Sequence, residues 1–285
     1  MRILVTGAKG MLGSDLIPIL QEQHHAVFLT DIEELDITRL EDVRKYVKKE
    51  KPEVIINCAA YTQVDNAEAE REQAFLLNAS AVRNLALVSR EQVIDLCHIS
   101  TDYIFNGEKK SPYVPDDTPD PINVYGDSKL AGEKYIKELC RTYYIIRTSW
   151  LYGKNGPNFV HTMIKLAQSQ PEIRVVHDQI GSPTWTVTLA GVIAQLIITK
   201  RYGVYHATDE TYHKGISWYQ FAQEIISTTG LPATLIPITT EQFPRPARRP
   251  KNSVLDVSSI KSILSHPLPS WQESLSCFLR TLKSL

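Results

Sequence analysis

Along the first 150 residues the apolar positions keep two alternating rhythms. Short, nearly unbroken apolar runs at 3–6, 26–30, 54–58, 93–99 and 143–147 have the character of strands buried on both faces. Between them the spacing lengthens to a helical one. Leu12, Leu16, Ile19 and Leu20 repeat along one helix face, with Pro18 inside the stretch as a source of bending. Leu40, Val43 and Val47 form the next stripe, introduced by Thr38 and Glu41 at the spacing of a capping box. Leu77, Ala81, Leu85 and Val88 form a third. Strands and helices alternating in this way predict parallel strands joined by right-handed crossovers. The fold class is therefore α/β, with a Rossmann-like, doubly wound parallel sheet.

Beyond residue 147 the rhythm loosens. Helices are expected over about 158–168, 186–199, 217–229 and 270–283, and strands over 173–177 and 204–207. Pro244-Arg245-Pro246-Ala247-Arg248-Arg249-Pro250-Lys251 reads as loop, because its prolines cannot donate to a helix or a ladder. The simplest division is a dinucleotide-binding domain over 1–150, to which the helix at about 186–200 and the strand at about 203–208 return. Most of 151–285 then forms a smaller, irregular α/β substrate-binding part.

Composition narrows the function classes. With 31 Lys and Arg against 32 Asp and Glu the formal net charge is −1, so neither nucleic acid nor a membrane surface is expected as a partner. No apolar run nears the ~20 residues of a membrane span. The run before Gly7 is too short for the apolar region of a signal peptide. Cys58, Cys97, Cys140 and Cys277 lie far apart, with no CxxC pair and no histidine cluster at ligand spacing. Reduced thiols, a cytoplasmic location and no metal site are expected.

Two constellations carry chemistry. Gly7-Ala8-Lys9-Gly10-Met11-Leu12-Gly13 follows the first run and opens the first helical stretch. Its GxxGxxG spacing meets the same demand as the commoner GxGxxG: backbone close to a pyrophosphate, at a helix N-terminus with free N–H groups. An isolated match would be a plain tight turn, but a strand before and a helix after favour a dinucleotide. Asp31 closes the second run, where an acid binds an adenosine ribose and disfavours a 2′-phosphate. Asp31 by itself favours NADH, which Lys9 or Arg39 could offset. Asp36 and Ile37 follow in a loop that could flank the adenine.

The second constellation is Tyr125 with Lys129, an i, i+4 pair whose Cβ atoms would lie about 5–6 Å apart on one helix face. An ammonium there lowers the pKa of a phenol that otherwise titrates near ~10. YxxxK alone is weak. It gains force from Ser100-Thr101-Asp102-Tyr103 at the end of a central run, since open sheets place their sites at the carboxyl ends of strands. Thr101 can then hydrogen-bond a carbonyl oxygen that Tyr125 protonates. Trp150 is as readily core as substrate contact. Arg245, Arg248, Arg249 and Lys251 are as readily a solvated loop as a diphosphate clamp, although Arg forks match phosphate oxygens.

Together, Gly7/Gly10/Gly13, Asn57-Cys58-Ala59-Ala60, Ser100-Thr101-Asp102 and Tyr125/Lys129 resemble the extended short-chain dehydrogenase/reductases. Within them the chain is similar to the dTDP-4-dehydrorhamnose reductase family over nearly its whole length. The likeness rests on the stretches at 58–65, 99–105 and 123–126, on Arg147-Thr148-Ser149-Trp150-Leu151-Tyr152-Gly153, on 178–184, and on Arg249-Pro250 with Asn252-Ser253. It implies reduction of the C4 ketone of a dTDP-4-keto-6-deoxysugar by NADPH or NADH, giving dTDP-L-rhamnose for surface polysaccharide. Tyr125, Lys129 and Thr101 would be catalytic. Gly7, Gly10, Met11, Leu12, Gly13, Asp31, Asp36, Ile37, Ala59, Ala60 and Tyr61 would hold the cofactor together with Tyr125 and Lys129. Thr101, Asp102, Trp150, Arg248 and Arg249 would meet the nucleotide sugar. Some relatives hold Mg2+ through acids at a homodimer contact; Thr188 stands where they often carry an acid, which puts the metal in doubt.

Two rivals share the motifs. A sugar-nucleotide dehydratase or epimerase uses the same Tyr/Lys pair, but related dehydratases follow the catalytic Thr with Asp-Glu, and here Thr101-Asp102 is followed by Tyr103. A non-catalytic regulatory subunit of the same family would act by partner contact, and the intact Thr101/Tyr125/Lys129 set favours an enzyme.

Overall fold

The sheet predicted by the apolar runs is present in the computed structural model, which describes residues 1–212 and 214–283. Six strands take part: β1 (Arg2–Thr6), β2 (Ala26–Thr30), β3 (Val54–Asn57), β4 (Asp95–Thr101), β5 (Tyr143–Thr148) and β6 (Gly203–His206). All pairs are parallel and the order is β6-β5-β4-β3-β1-β2. The order reverses beside β1, the place where open α/β sheets form a crevice.

Side chains alternate between two apolar layers, as the period of a strand requires. Ile3, Val5, Val54, Ile56, Cys97 and Ile146 pack into one layer beneath α1 (Met11–Glu22) and a later helix, Thr186–Leu196. Leu4, Ile55, Leu96 and Ile145 face the other, beneath α2 (Leu40–Glu50), α3 (Ala81–Gln92) and α4 (Val124–Leu139). Val257, Ile260 and Leu268 join the first layer, so the chain returns to this sheet twice after residue 150.

The remainder surrounds a third core of Tyr152, Met163, Phe221, Trp271 and Phe278, beneath the helices Phe159–Ser169, Trp218–Thr229 and Trp271–Lys283. Strand Glu172–Val176 pairs with Thr234–Ile238 in parallel. Asn158 caps the first of these helices and Ser217 with Gln220 forms a capping box on the second. Among the described residues no helix is long and apolar enough to cross a membrane.

Local hydrogen bonds overturn some expected boundaries. The capping box at Thr38 and Glu41 does not form, because Asp36 Oδ1 accepts from both the Thr38 N–H (2.9 Å) and its hydroxyl (2.6 Å). Helix α2 begins after Arg39, without a side-chain cap. Val93 ends α3 in a left-handed conformation (φ 57°) and is exposed, so β4 starts at Asp95. Pro18 leaves α1 unbroken; it is exposed, so the carbonyl that loses its donor lies on the wet face.

One charged group sits inside this frame. Arg147 of β5, fully buried, makes a two-pronged pair with the equally buried Glu133 of α4 (Nε–Oε1 3.0 Å, Nη2–Oε2 2.7 Å). Its Nη1 donates to the Pro115 carbonyl at 2.9 Å and lies 3.3 Å from His206. The Ser100 hydroxyl donates to Glu133 Oε1 at 2.6 Å, joining β4 to the same group. Glu133→Ala, which strands the guanidinium, should lower unfolding free energy by about 3–5 kcal/mol in urea titration. Glu133→Leu combined with Arg147→Met should recover a good part of that loss; no recovery would mean that the charges themselves are not what couples these elements.

Candidate active site

The glycine turn between β1 and α1 lies at the carboxyl end of the sheet. Gly7 is in the left-handed region (φ 67°), and a Cβ there would stand 2.6 Å from the Ala59 nitrogen. A Cβ on Gly13 would stand 2.4 Å from the Gly7 carbonyl oxygen. These two glycines let the helix, the turn and the loop after β3 close on one another. Gly10 precedes α1 without a side-chain cap, and no acid sits in the first helical turn. The N–H groups around Met11 and Leu12 are thus free of protein side chains, a fit for a pyrophosphate.

The flanking residues are placed less uniformly. Asp31 lies just beyond β2, where Oδ2 accepts from the Lys9 N–H at 3.2 Å and Oδ1 from the Ile32 N–H at 2.9 Å. Lys9 itself pairs with Glu33 and Glu34, and Arg39 with Asp42 (3.1 Å). Among the described residues neither cation pairs with Asp31 itself. Asp36 is engaged by Thr38, and the Ile37 side chain is buried in the core below α2 and α3 rather than presented to an adenine. Ala59, Ala60 and Tyr61 follow β3. The Tyr61 backbone is gripped by Asn78, whose Oδ1 accepts from its N–H (2.9 Å) and whose Nδ2 donates to its carbonyl (2.9 Å).

At the end of β4, Thr101 donates to Asp102 Oδ1 at 3.0 Å and accepts from the Tyr103 N–H at 3.2 Å. Asn123 caps α4, accepting from the Gly126 N–H at 2.8 Å, which sets Tyr125 on the first turn beside Thr101. The Tyr125 ring stands edge-on to Tyr103, centroids 5.9 Å apart. Burial pushes the Tyr125 phenol up to about 12, with the Thr101 hydroxyl working the other way and Asp102 adding to the rise. Burial also pushes Asp102 up to about 7, with the Ser253 and Thr101 hydroxyls working the other way.

Lys129 corrects the expectation drawn from the i, i+4 spacing. Its ammonium donates to the Ile99 carbonyl (2.6 Å) and lies 3.3 Å from His98 Nε2, on the β4 side of the helix. Burial brings Lys129 down to about 8. The phenol is raised rather than lowered, because its own burial outweighs the hydrogen bond from Thr101.

Between the sheet and the third core lies a cavity of about 1120 Å³, lined among others by Tyr103, Phe159, Arg174, Trp218, Arg248 and Lys251. Trp150 holds a left-handed conformation (φ 46°), with its ring stacked on Trp218 at 3.5 Å. Strain of that kind in a non-glycine residue persists where surroundings fix it.

The basic loop is divided. Arg249 Nη2 (2.8 Å) and Arg245 Nε (2.9 Å) both bond Asp65, which Arg249 foremost, then Arg245, holds well below the usual carboxylate range. Arg249 is therefore a latch to Asp65 rather than a free phosphate fork. Among the described residues the exposed Arg248 guanidinium has no hydrogen-bond or ion-pair partner, while the Arg248 carbonyl accepts from Asn123 at 2.8 Å. Asp65, Asn78 and Arg174 escaped the sequence reading. Asn78 had a faint signal, a polar residue in an otherwise apolar stripe; it lies in a π-helical turn, Leu76–Ser80. Among the described residues no three His, Cys, Asp or Glu side chains are grouped to hold a metal ion, and Thr188 faces the Ser274 hydroxyl at 3.3 Å.

Residues 1–284 match the family model described as RmlD substrate binding domain. The spore coat polysaccharide biosynthesis protein SpsK of Bacillus subtilis (strain 168) is 39% identical over 284 residues, covering 99% of this chain and 98% of that one. A dTDP-4-dehydrorhamnose reductase of Streptomyces griseus is 43% identical over 282 residues, covering 96% and 92%. The crystal structure of dTDP-4-dehydrorhamnose reductase from Bacillus anthracis str. Ames in complex with NADP superposes with a TM-score of 0.94 at 42% identity, over 98% of this chain and 99% of that one.

Asp102 gives the site a pH signature. Its folded-state pKa near 7 exceeds the ordinary 3.8. Between those values the native state keeps a proton that the unfolded chain releases, so the contribution to stability falls as pH rises through the window and then levels. Asp102→Asn, permanently neutral, should gain Tm relative to the parent on going from about pH 5 to about pH 8. A difference independent of pH in thermal scans would show that the carboxyl is not held protonated.

Proposed function

The chain belongs to the RmlD substrate binding domain family, and on that premise we propose that it is a cytoplasmic reductase of nucleotide sugars. It reduces the C4 ketone of dTDP-4-dehydrorhamnose to dTDP-L-rhamnose, a precursor of surface polysaccharide, with NADPH or NADH. The observation that carries this reading is the meeting of Thr101, Asp102 and Tyr125 at the carboxyl end of β4. Related proteins bear the names of a dTDP-4-dehydrorhamnose reductase and of a polysaccharide biosynthesis protein.

When bound, the nicotinamide supplies a hydride to the sugar carbon. Tyr125 donates the proton to the ketone oxygen. A phenol near 12 keeps that proton at neutral pH until the oxygen gains alkoxide character, which suits a donor. Thr101, fixed by Asp102 and the Tyr103 N–H, orients the oxygen. Asp102, raised to about 7, is protonated in about half of the molecules at neutral pH, and that form can both donate and accept toward the sugar hydroxyls. Gly7, Gly10, Met11, Leu12 and Gly13 hold the pyrophosphate through main-chain N–H groups, Asp31 takes the adenosine ribose, and Ala59, Ala60 and Tyr61 bound the cofactor. Lys129 holds the nicotinamide ribose. Trp150, backed by Trp218, offers a flat apolar wall to the deoxysugar. Arg248 takes the diphosphate, and Arg249 acts by holding the loop that carries it.

Tyr125→Phe should lower kcat about a hundredfold or more while the Kd for NADPH holds; turnover near the parental rate would remove Tyr125 from the mechanism. Arg248→Ala should raise KM for the nucleotide sugar roughly tenfold or more, the loss of one charge-assisted hydrogen bond, with cofactor affinity unchanged. An unaltered KM would move diphosphate recognition elsewhere in the cavity, to Arg174 or Lys251.

A further inference from the structure

His98 stands inside β4, fully buried, with both ring nitrogens engaged. Asn57 decides which of them bears the proton. The Asn57 amide oxygen accepts from the Ala59 N–H at 3.2 Å and from the Thr6 hydroxyl at 2.7 Å. A main-chain N–H can only donate, so the amide orientation follows from that contact. The NH2 group of Asn57 therefore faces His98 Nδ1 at 3.0 Å, and Nδ1 must accept. An imidazole accepting at Nδ1 carries its proton on Nε2.

Nε2 lies 3.3 Å from Lys129 Nζ, which also donates to the Ile99 carbonyl at 2.6 Å. An ammonium has three donors and no lone pair, so it meets Nε2–H as donor against donor. A neutral amine can donate to Ile99 and accept from Nε2–H at once. We propose that His98 is a positioning residue for the reduction: held by Asn57 with its proton on Nε2, it favours the neutral amine of Lys129 and loosens that lysine's hold on its proton.

The other groups around Lys129 leave this direction intact. Glu133, one turn further along α4, favours the ammonium, but both of its oxygens are bound by Arg147. The buried Cys58 thiol, pushed up to about 12, is uncharged, as is the Tyr125 phenol. His98 is itself held well below its usual range, by burial first and Lys129 second, and stays neutral. Lys129 ends near 8, with burial the largest cause.

The consequence for catalysis rests on Tyr125 being the proton donor. Once Tyr125 has given its O–H proton to the sugar oxygen, the phenolate needs another. Because Nζ is turned toward β4, a loosened ammonium breaks an Nζ–H bond to an intervening water, and that water breaks an O–H bond as the new phenol O–H bond forms. The amine left behind accepts a hydrogen bond from His98, which keeps its own proton.

Two measurements on the full chain test this. In 15N spectra of the histidine rings of the parent protein, His98 should be neutral with its proton on Nε2 between about pH 6 and 8; a proton on Nδ1 overturns the proposal, and no variant has to fold for this to be seen. In 13C spectra of lysine Cε, with the Lys129 signal assigned through Lys129→Arg, the parent midpoint should lie at about 8. His98→Gln, whose amide oxygen can accept from an ammonium, should raise that midpoint by about one unit or more, and the alkaline limb of kcat should move the same way. A loss of Tm with an unmoved midpoint would reduce His98 to a packing role and overturn the proposal. If the midpoint moves but the parent never oxidises NADPH against the keto-sugar, the reaction assignment fails while the tuning of Lys129 stands.

Discussion

The guanidinium of Arg147 is the constraint from which the active end of the sheet follows. A charge so deeply enclosed is tolerable only with a matching carboxylate in register and its remaining N–H groups paired. Glu133 supplies the first, and the Pro115 carbonyl and His206 take the rest. Because Glu133 also receives the Ser100 hydroxyl, α4 cannot rotate or slide against β4 without breaking the set. Tyr125 and Lys129 lie two turns and one turn before Glu133 on that helix, and Thr101 directly follows Ser100. A structural ion pair thereby fixes the spacing of the reacting groups without touching substrate.

Desolvation divides the site into two electrical halves. Around β4, burial disfavours every charge: it raises Asp102 and Tyr125 and lowers Lys129 and His98. Across the cavity, Arg174, Arg248 and Lys251 stand exposed at the wet rim, where a diphosphate would be met. The latch of Arg245 and Arg249 on Asp65 lies at the join between the two halves.

Much of this was legible in the sequence, for identifiable reasons. Strands buried on both faces leave unbroken apolar runs, so the sheet could be read from periodicity alone, as could the glycine turn and the end of β4. The caps Asn158 and Ser217 coincided with the expected helix starts because their side chains act within three residues. What could not be read depends on partners remote in sequence or on local competition. Asp65 finds Arg249 across the cleft, and nothing near either residue announces it. Thr38 was captured by Asp36 before it could cap α2. Lys129 has the spacing to face Tyr125, yet its Nζ is turned to Ile99 and His98, a choice made by tertiary contacts that spacing does not encode.

The late return of the chain to its first sheet bears on how the protein is made. Strand β6 supplies the neighbour of β5, and Thr186–Leu196 covers the layer over α1. A nascent chain that has emerged only as far as β5 presents an unpaired strand edge and a bare apolar face, both of them templates for wrong association. Completion waits on residues some fifty positions later in β6, and on Val257, Ile260 and Leu268 later still. The cofactor half is therefore not an autonomous module that could be cut out at residue 150. Synthesis has to run almost to the end before the earliest-made strands are sealed, which ties the two halves into one cooperative folding event.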